Sequence, residues 1–115
     1  MFYTYIIRCE DNSLYTGYTN DIEKRIKNHF TGNKVAAKYT KSHKPVKVEA
    51  IWTCKEKIPA CKLEYHIKKL NKIEKEMLLN GTKISELLSG KIDGRKYRKK
   101  DINYINSINL ICKGD

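Results

Sequence analysis

Apolar and polar positions along this chain change their period several times, and each change marks an element. Residues 2–9 (Phe-Tyr-Thr-Tyr-Ile-Ile-Arg-Cys) and 14–19 (Leu-Tyr-Thr-Gly-Tyr-Thr) are rich in β-branched and aromatic side chains, with the turn formers Glu10-Asp11-Asn12-Ser13 between them. Two such runs joined by a short polar link predict a β-hairpin. Gly17 interrupts the second run, and a glycine inside a strand marks a bulge or a close approach to the backbone. The period then lengthens. Ile22, Ile26 and Phe30 recur every fourth residue, which is the stripe of a helix burying one face. Asn20 is placed to cap this helix, with Glu23 at the capping-box spacing, and Thr31-Gly32 is placed to end it. Arg25 and His29, also four apart, share a neighbouring stripe.

Residues 33–45 read as a basic connection carrying Lys34, Lys38, Lys41 and Lys44, with one helical turn expected around 35–39. After Pro45 the run Val46-Lys47-Val48-Glu49-Ala50-Ile51-Trp52-Thr53-Cys54 alternates and then turns continuously apolar, as a strand buried against helices does. Pro59 suits the first turn of a helix, where its missing N–H is harmless. Leu63, Ile67 and Leu70 supply that helix with a core face. Asn71 with Glu74 repeats the cap spacing and predicts a second helix over 72–80, closed by Gly81. Residues 1–81 therefore read β-β-α-β-α-α: an α/β (α+β) unit in which a small three-stranded sheet is flanked by helices. Residues 82–115 form a basic C-terminal extension, packed on that unit or trailing from it. It holds a short amphipathic piece at 84–88, a basic linker at 91–100 and a final apolar run at 102–111. Helix and strand both remain open for the final run, with the spacing of Ile102, Ile105 and Ile108 leaning to helix.

Composition narrows the function classes. The 115 residues are enough for one ordinary domain. They are 40% hydrophobic and 32% charged, with a mean hydropathy of −0.66. No stretch approaches the ~20 apolar residues of a spanning helix, and Arg8 arrives too early for a secretory signal; a cytoplasmic protein is expected. Four cysteines (Cys9, Cys54, Cys61 and Cys112) lack the spacing of a zinc or redox motif and are expected to be reduced, packed thiols. The net charge is +11, divided as +5 over residues 1–60 and +6 over 61–115. The folded surface itself must then be basic, which favours capture of polyanions. A lysine-rich composition with no partner behind it is the alternative.

Proton-active groups gather in the first 30 residues. Tyr5 lies on the first strand, Tyr15-Thr16-Gly17 on the second, and Arg25 and His29 on the helix that follows. Downstream, Glu64 interrupts an apolar helical stripe between Leu63 and Ile67. Each has a structural alternative. Tyrosines are good strand formers; Arg25 can pair with Asp21; His29 can meet the helix C-terminal dipole; Glu64 can pair with Lys68. Tyr39, between Lys38 and Lys41, is placed to stack on a base or to contact phosphate. His43 and His66 have no partner at a useful spacing, and Trp52 reads as core.

With these residues in place, the chain resembles the GIY-YIG nuclease superfamily, in particular its small stand-alone bacterial members. The two short strand motifs match Tyr3-Thr4-Tyr5 and Tyr15-Thr16-Gly17. The helical arginine matches Arg25, a histidine of several branches matches His29, and the acidic metal ligand matches Glu64 within Lys62-Leu63-Glu64-Tyr65. The first motif keeps only its final tyrosine, the second has Thr in the middle, and Asn71 is left outside the site because capping explains it. The resemblance implies a metal-dependent endonuclease that hydrolyses DNA phosphodiesters by water attack, in repair or recombination. Its alternative is a nucleic-acid-binding module that has kept the fold without efficient chemistry. In the endonuclease, Arg25 would present a planar cationic fork to phosphate. Glu64 would hold one Mg²⁺, with Mn²⁺ as a substitute, since a lone carboxylate suits a single hard, hydrated cation. Tyr15 would act as base, Tyr5 would orient water or phosphate, and His29 would relay protons or contact the phosphate. Gly17, Lys38, Tyr39 and Lys41 would line the substrate path. The expected partner is nucleic acid, DNA above all, bound by a monomer.

Overall fold

The computed structural model of the chain describes residues 1–32, 37–103 and 105–106. The hairpin forms where the aromatic and β-branched runs predict it: β1 (Phe2–Cys9) and β2 (Leu14–Thr19) pair antiparallel. The third run becomes β3 (Pro45–Cys54), antiparallel to β1 on its other side. Among the described residues the sheet has four strands rather than the expected three, in the order β2-β1-β3-β4. The addition, β4, is only Arg98–Lys99, paired with Trp52 and Thr53. Two exposed basic residues carry no alternation that would announce a strand. They are held by Tyr97 beside them, which is buried in the core and donates its hydroxyl to the Pro59 carbonyl oxygen at 2.8 Å.

Helix α1 spans Ile22–Thr31 and buries Ile22, Ile26 and His29. Its cap is Asp21, not Asn20: the Asp21 carboxylate accepts from the Lys24 amide at 3.3 Å, while the Asp21 amide donates to Thr19 Oγ1. A carboxylate at this position satisfies an orphan N–H and also meets the positive end of the helix dipole, which an amide cannot do as well. Gly32 ends the helix with φ of 65°, the left-handed turn for which glycine is suited. The next short helix, α2, occupies Lys38–Ser42, so the helical turn lies further along than expected. Residues 33–36 of that connection, Lys34 included, fall outside the described residues.

Helix α3 (Lys57–Lys69) buries Ala60, Leu63 and Ile67, and α4 (Lys72–Leu79) begins with the Asn71/Glu74 capping box predicted for it. A short α5 (Ile84–Leu87) and a 3₁₀ turn (Gly94–Lys96) lead to β4. Alternation along β1 sends Thr4, Ile6 and Arg8 to one face and Tyr5, Ile7 and Cys9 to the other. Ile6 joins Ala50, Trp52, Leu63, Ile67, Leu78, Ile84, Leu88 and Tyr97 in one core cluster, under α3–α5. Tyr5 and Ile7 join Ile22, Ile26, Val48, Ile51 and Ile105 in a second, under α1. Residues of the extension thus enter both clusters. Asn106 adds a further tie: its side-chain amide accepts from the Val48 N–H and donates to the Val48 carbonyl, as a neighbouring strand would. The Asn106 amide closes one helical turn on Ile102; residues 107–111 of the final apolar run, and Cys112, lie outside the described residues. Cys9, Cys54 and Cys61 are free thiols. Among the described residues, no helix is long and apolar enough to cross a membrane.

Candidate active site

The site is assembled on the hairpin. Tyr5 on β1 pairs in register with Gly17 on β2, and the glycine is needed there. A Cβ at residue 17 would lie 2.6 Å from Tyr5 Oη and 3.2 Å from Tyr15 Cε2. The close approach expected at Gly17 is therefore occupied by the two phenols, whose rings close over it with centroids 6.4 Å apart. Alternation brings Tyr15 to the same face as Tyr5 and Gly17, and α1 lays His29 against both rings, 5.5 Å from Tyr5 and 5.3 Å from Tyr15.

Tyr5 and His29 are both wholly buried. Tyr5 Oη lies 2.6 Å from His29 Nε2, and His29 Nδ1 lies 2.8 Å from Thr40 Oγ1 on α2. Burial disfavours the charged imidazolium, and the nearby Arg25 charge disfavours it further, so the His29 pKa is pushed down to about 4. Burial likewise drives the Tyr5 phenol above its ordinary range, with the neighbouring Tyr15 adding to the effect and Arg25 opposing it. Tyr15 is half-buried. Its pKa is also raised, first by burial, while Arg25 works to lower it and Glu64 to raise it. At neutral pH the centre of the site is thus a set of neutral, hydrogen-bonded groups with one guanidinium and one carboxylate at its margin.

Glu64 comes from the opposite helical layer, on α3, and acts electrostatically on both Tyr5 and Tyr15. Its carboxylate pairs with Lys68 at 3.6 Å, so the local i,i+4 alternative is present in the structure. Lys68 in turn places its ammonium 5.8 Å from the Tyr15 ring centroid. The five residues expected from the sequence (Tyr5, Tyr15, Arg25, His29 and Glu64) are therefore neighbours. Of the residues expected to line a substrate path, Tyr39 stacks on Tyr15 at 5.6 Å between centroids, whereas Lys38 and Lys41 are exposed on α2.

Two residues were not anticipated. Thr40 touches His29 directly. His43 stacks on Tyr39 at 4.0 Å with the rings nearly parallel, continuing a column that runs from Tyr15. The spacing Tyr39-x₃-His43, one helical turn, was the available signal for His43; Thr40 carried none.

The donor set constrains any metal. Among the described residues, no group of three or more His, Cys, Asp or Glu side chains converges. A single partly exposed carboxylate does not fit zinc or a two-metal centre. It fits a cation that keeps its own waters and leans on substrate phosphate, as Mg²⁺ does. Away from this site, Thr53, Lys55, Glu56, Arg95, Lys96 and Arg98 line a hollow of about 350 Å³ beside the start of α3. Three of its cations come from the extension.

Comparison with known proteins gives the chain its relatives. The sequence profile described as "GIY-YIG catalytic domain" matches residues 1–77. A "UPF0213 protein" of Fusobacterium nucleatum is 46% identical over 79 residues, covering 69% of this chain and 77% of the relative. Another, of Clostridium perfringens, is 45% identical over 86 residues, covering 75% of this chain and 90% of the relative. Among solved structures, the solution NMR structure of a UPF0213 protein from Bacillus halodurans is similar, with 37% identity and a TM-score of 0.46. That match covers 79% of this chain and 99% of the other.

Proposed function

The chain belongs to the GIY-YIG family, a nuclease superfamily, and on that premise we propose that it is a DNA endonuclease that uses one divalent cation to hydrolyse a phosphodiester. The observation that carries this reading is the convergence of two phenols, a neutral buried imidazole, a guanidinium and a carboxylate around one edge of the hairpin.

Each residue has work that its environment allows. Arg25, always cationic, binds the non-bridging oxygens of the scissile phosphate and stabilises charge that grows there. Tyr15, the half-buried phenol, faces the attacking water and orients it or accepts its proton. Its raised pKa means that no standing phenolate is available at neutral pH, so the proton must be passed on as it is taken. The Tyr5–His29 pair provides the outlet, since a neutral imidazole has a bare nitrogen able to accept. Burial of His29 favours that relay role over direct contact with phosphate. Glu64 is the residue that would hold Mg²⁺ or Mn²⁺, and such a cation supplies positive charge to the phosphate and its leaving oxygen. Lys68, half exposed, can swing away from Glu64 to make room. Tyr39, Lys38 and Lys41 extend the contact surface along α2. The cationic hollow formed with the extension offers a second place for backbone phosphates. A role in repair or recombination is the part of this reading that rests on the family resemblance alone.

The Glu64–Lys68 ion pair favours one rival, a nucleic-acid-binding module in which the carboxylate is only structural. A nicking assay separates the two. The full chain is incubated with Mg²⁺ or Mn²⁺ on plasmid and branched DNA, with matched RNAs as comparison. Metal-dependent nicking is expected, together with its loss by a factor of about 10³ or more in Glu64→Ala while DNA affinity is retained. Absence of nicking by the unaltered chain, or equal nicking by Glu64→Ala, overturns the endonuclease.

A further inference from the structure

Thr40 belongs to neither short motif and takes no part in the chemistry assigned so far, yet it is 2% exposed and in contact with the buried histidine. Its Oγ1 lies 2.8 Å from His29 Nδ1 and 3.1 Å from the carbonyl oxygen of Ala37. A carbonyl can only accept, and a hydroxyl has one proton to give. The Thr40 proton is therefore committed to Ala37, and Oγ1 faces Nδ1 with a lone pair. A bare Nδ1 at 2.8 Å would set two lone pairs against each other, so Nδ1 must carry the imidazole proton and donate it. A neutral imidazole has only one N–H. Nε2 is then the bare nitrogen, and the hydrogen bond to it at 2.6 Å must be donated by Tyr5. The chain has one consistent direction: Tyr5 to His29, His29 to Thr40, Thr40 to the Ala37 carbonyl.

We propose that Thr40 is a positioning residue: by accepting from Nδ1 it holds His29 in the Nδ1–H tautomer and leaves Nε2 open to receive the Tyr5 proton. The tautomer stands on geometry alone, whereas its use in the reaction rests on the endonuclease reading. In that use, Tyr15 takes the proton leaving the attacking water and passes its own to Tyr5 Oη as the Tyr5 proton crosses to Nε2. Both phenols stay neutral and the imidazole becomes cationic. The water oxygen bonds to phosphorus, the P–O bond to the leaving oxygen breaks, and that oxygen takes a proton from solvent. The opposite tautomer would present an N–H to Tyr5 and block the transfer.

The test is a long-range ¹H–¹⁵N spectrum of the full chain with labelled histidine, recorded for the unaltered protein, Thr40→Ser and Thr40→Val. The unaltered protein and Thr40→Ser are expected to give His29 as a single neutral Nδ1–H tautomer. Thr40→Val, similar in shape but without the hydroxyl, is expected to lose that single state. In nicking, Thr40→Val should lower kcat about 10- to 100-fold with KM for DNA nearly unchanged, and Thr40→Ser should restore it. An Nε2–H tautomer in the unaltered protein overturns the proposal whether or not Thr40→Val folds, as does an undisturbed Nδ1–H state in a folded Thr40→Val. A protein that gives the expected spectra but nicks no DNA leaves the tautomer in place and removes the endonuclease instead.

Discussion

Two of the polar ties between strand β1 and its helices are of opposite design. On the face under α1 and α2, Tyr5, His29 and Thr40 are linked by neutral hydrogen bonds wholly out of water. On the face under α4, Arg8 fills its guanidinium fork with carboxylates. Nε donates to Glu49 at 2.8 Å, and Nη1 and Nη2 each donate to Glu76 at 2.7 Å. Here the groups stay partly in solvent, with Arg8 17%, Glu49 14% and Glu76 31% exposed. The charged clamp holds its protons firmly, because each partner reinforces the ionised form of the other: the Glu76 carboxyl is held below its ordinary range by the Arg8 hydrogen bonds. The neutral chain is directional, and a proton taken up at Tyr5 sends the phenol's own proton to Nε2, so the chain carries one charge, on His29, between two hydrogen-bonded oxygens. One system is suited to joining elements, the other to passing a proton.

The sharpest way to break this contrast is acid titration of stability. The folded pKa of His29, about 4, lies below its ordinary value of 6.5, so the unfolded chain takes up the proton first. Stability from this group is whole above pH 6.5 and is lost as pH falls through the window towards 4, by about 3 kcal/mol at the full shift. Urea unfolding of the unaltered chain should show that slope, and His29→Gln should remove it. A slope that survives in His29→Gln would mean that the neutral chain is not its source. The clamp should titrate lower. Glu76, with a depressed folded pKa, contributes above its ordinary value of 4.5 and is lost only as pH falls below it.

Next in size, Arg8→Met should lower the unfolding free energy by about 2 kcal/mol, because Glu49 and Glu76 then keep only the half-exposed Lys47 and Lys72 as counter-charges. Nicking per folded molecule should stay unchanged. A loss of nicking with unaltered stability would reverse the roles assigned to the two systems. Smallest, Tyr15→Phe should slow nicking about tenfold, near 1.4 kcal/mol in the barrier, with little change in DNA affinity. Equal rates would remove Tyr15 from contact with the attacking water and leave the buried pair as the whole proton path.

What the sequence disclosed was local. The Asn71/Glu74 capping box could be read because its two bonds join residues three apart. The first helix was legible from Ile22 and Ile26, though its cap fell on Asp21 because two adjacent residues were chemically able to serve. The five site residues could be ordered along the chain by their resemblance to known motifs. What stayed hidden depends on separation in sequence. Glu76 lies 68 residues from Arg8, and nothing in either neighbourhood announces the other. Thr40 is the buried residue of α2, and an ordinary threonine gives no sign of the imidazole it meets. Strand β4 is set by the burial of Tyr97, not by the two residues that pair.

The short pairing at the outer side of β3 has a consequence for how copies of this chain meet. Trp52 and Thr53 are engaged by β4, the Ile51 carbonyl oxygen accepts from the Lys100 amide at 2.8 Å, and both backbone groups of Val48 are taken by the Asn106 side chain. An unprotected edge is a template on which a second polypeptide can add a strand and start aggregation. Here a stretch beyond residue 77, where the family match stops, acts as a built-in stopper. A visiting chain would first have to peel it away, and with it Tyr97 and Ile105 from the interior.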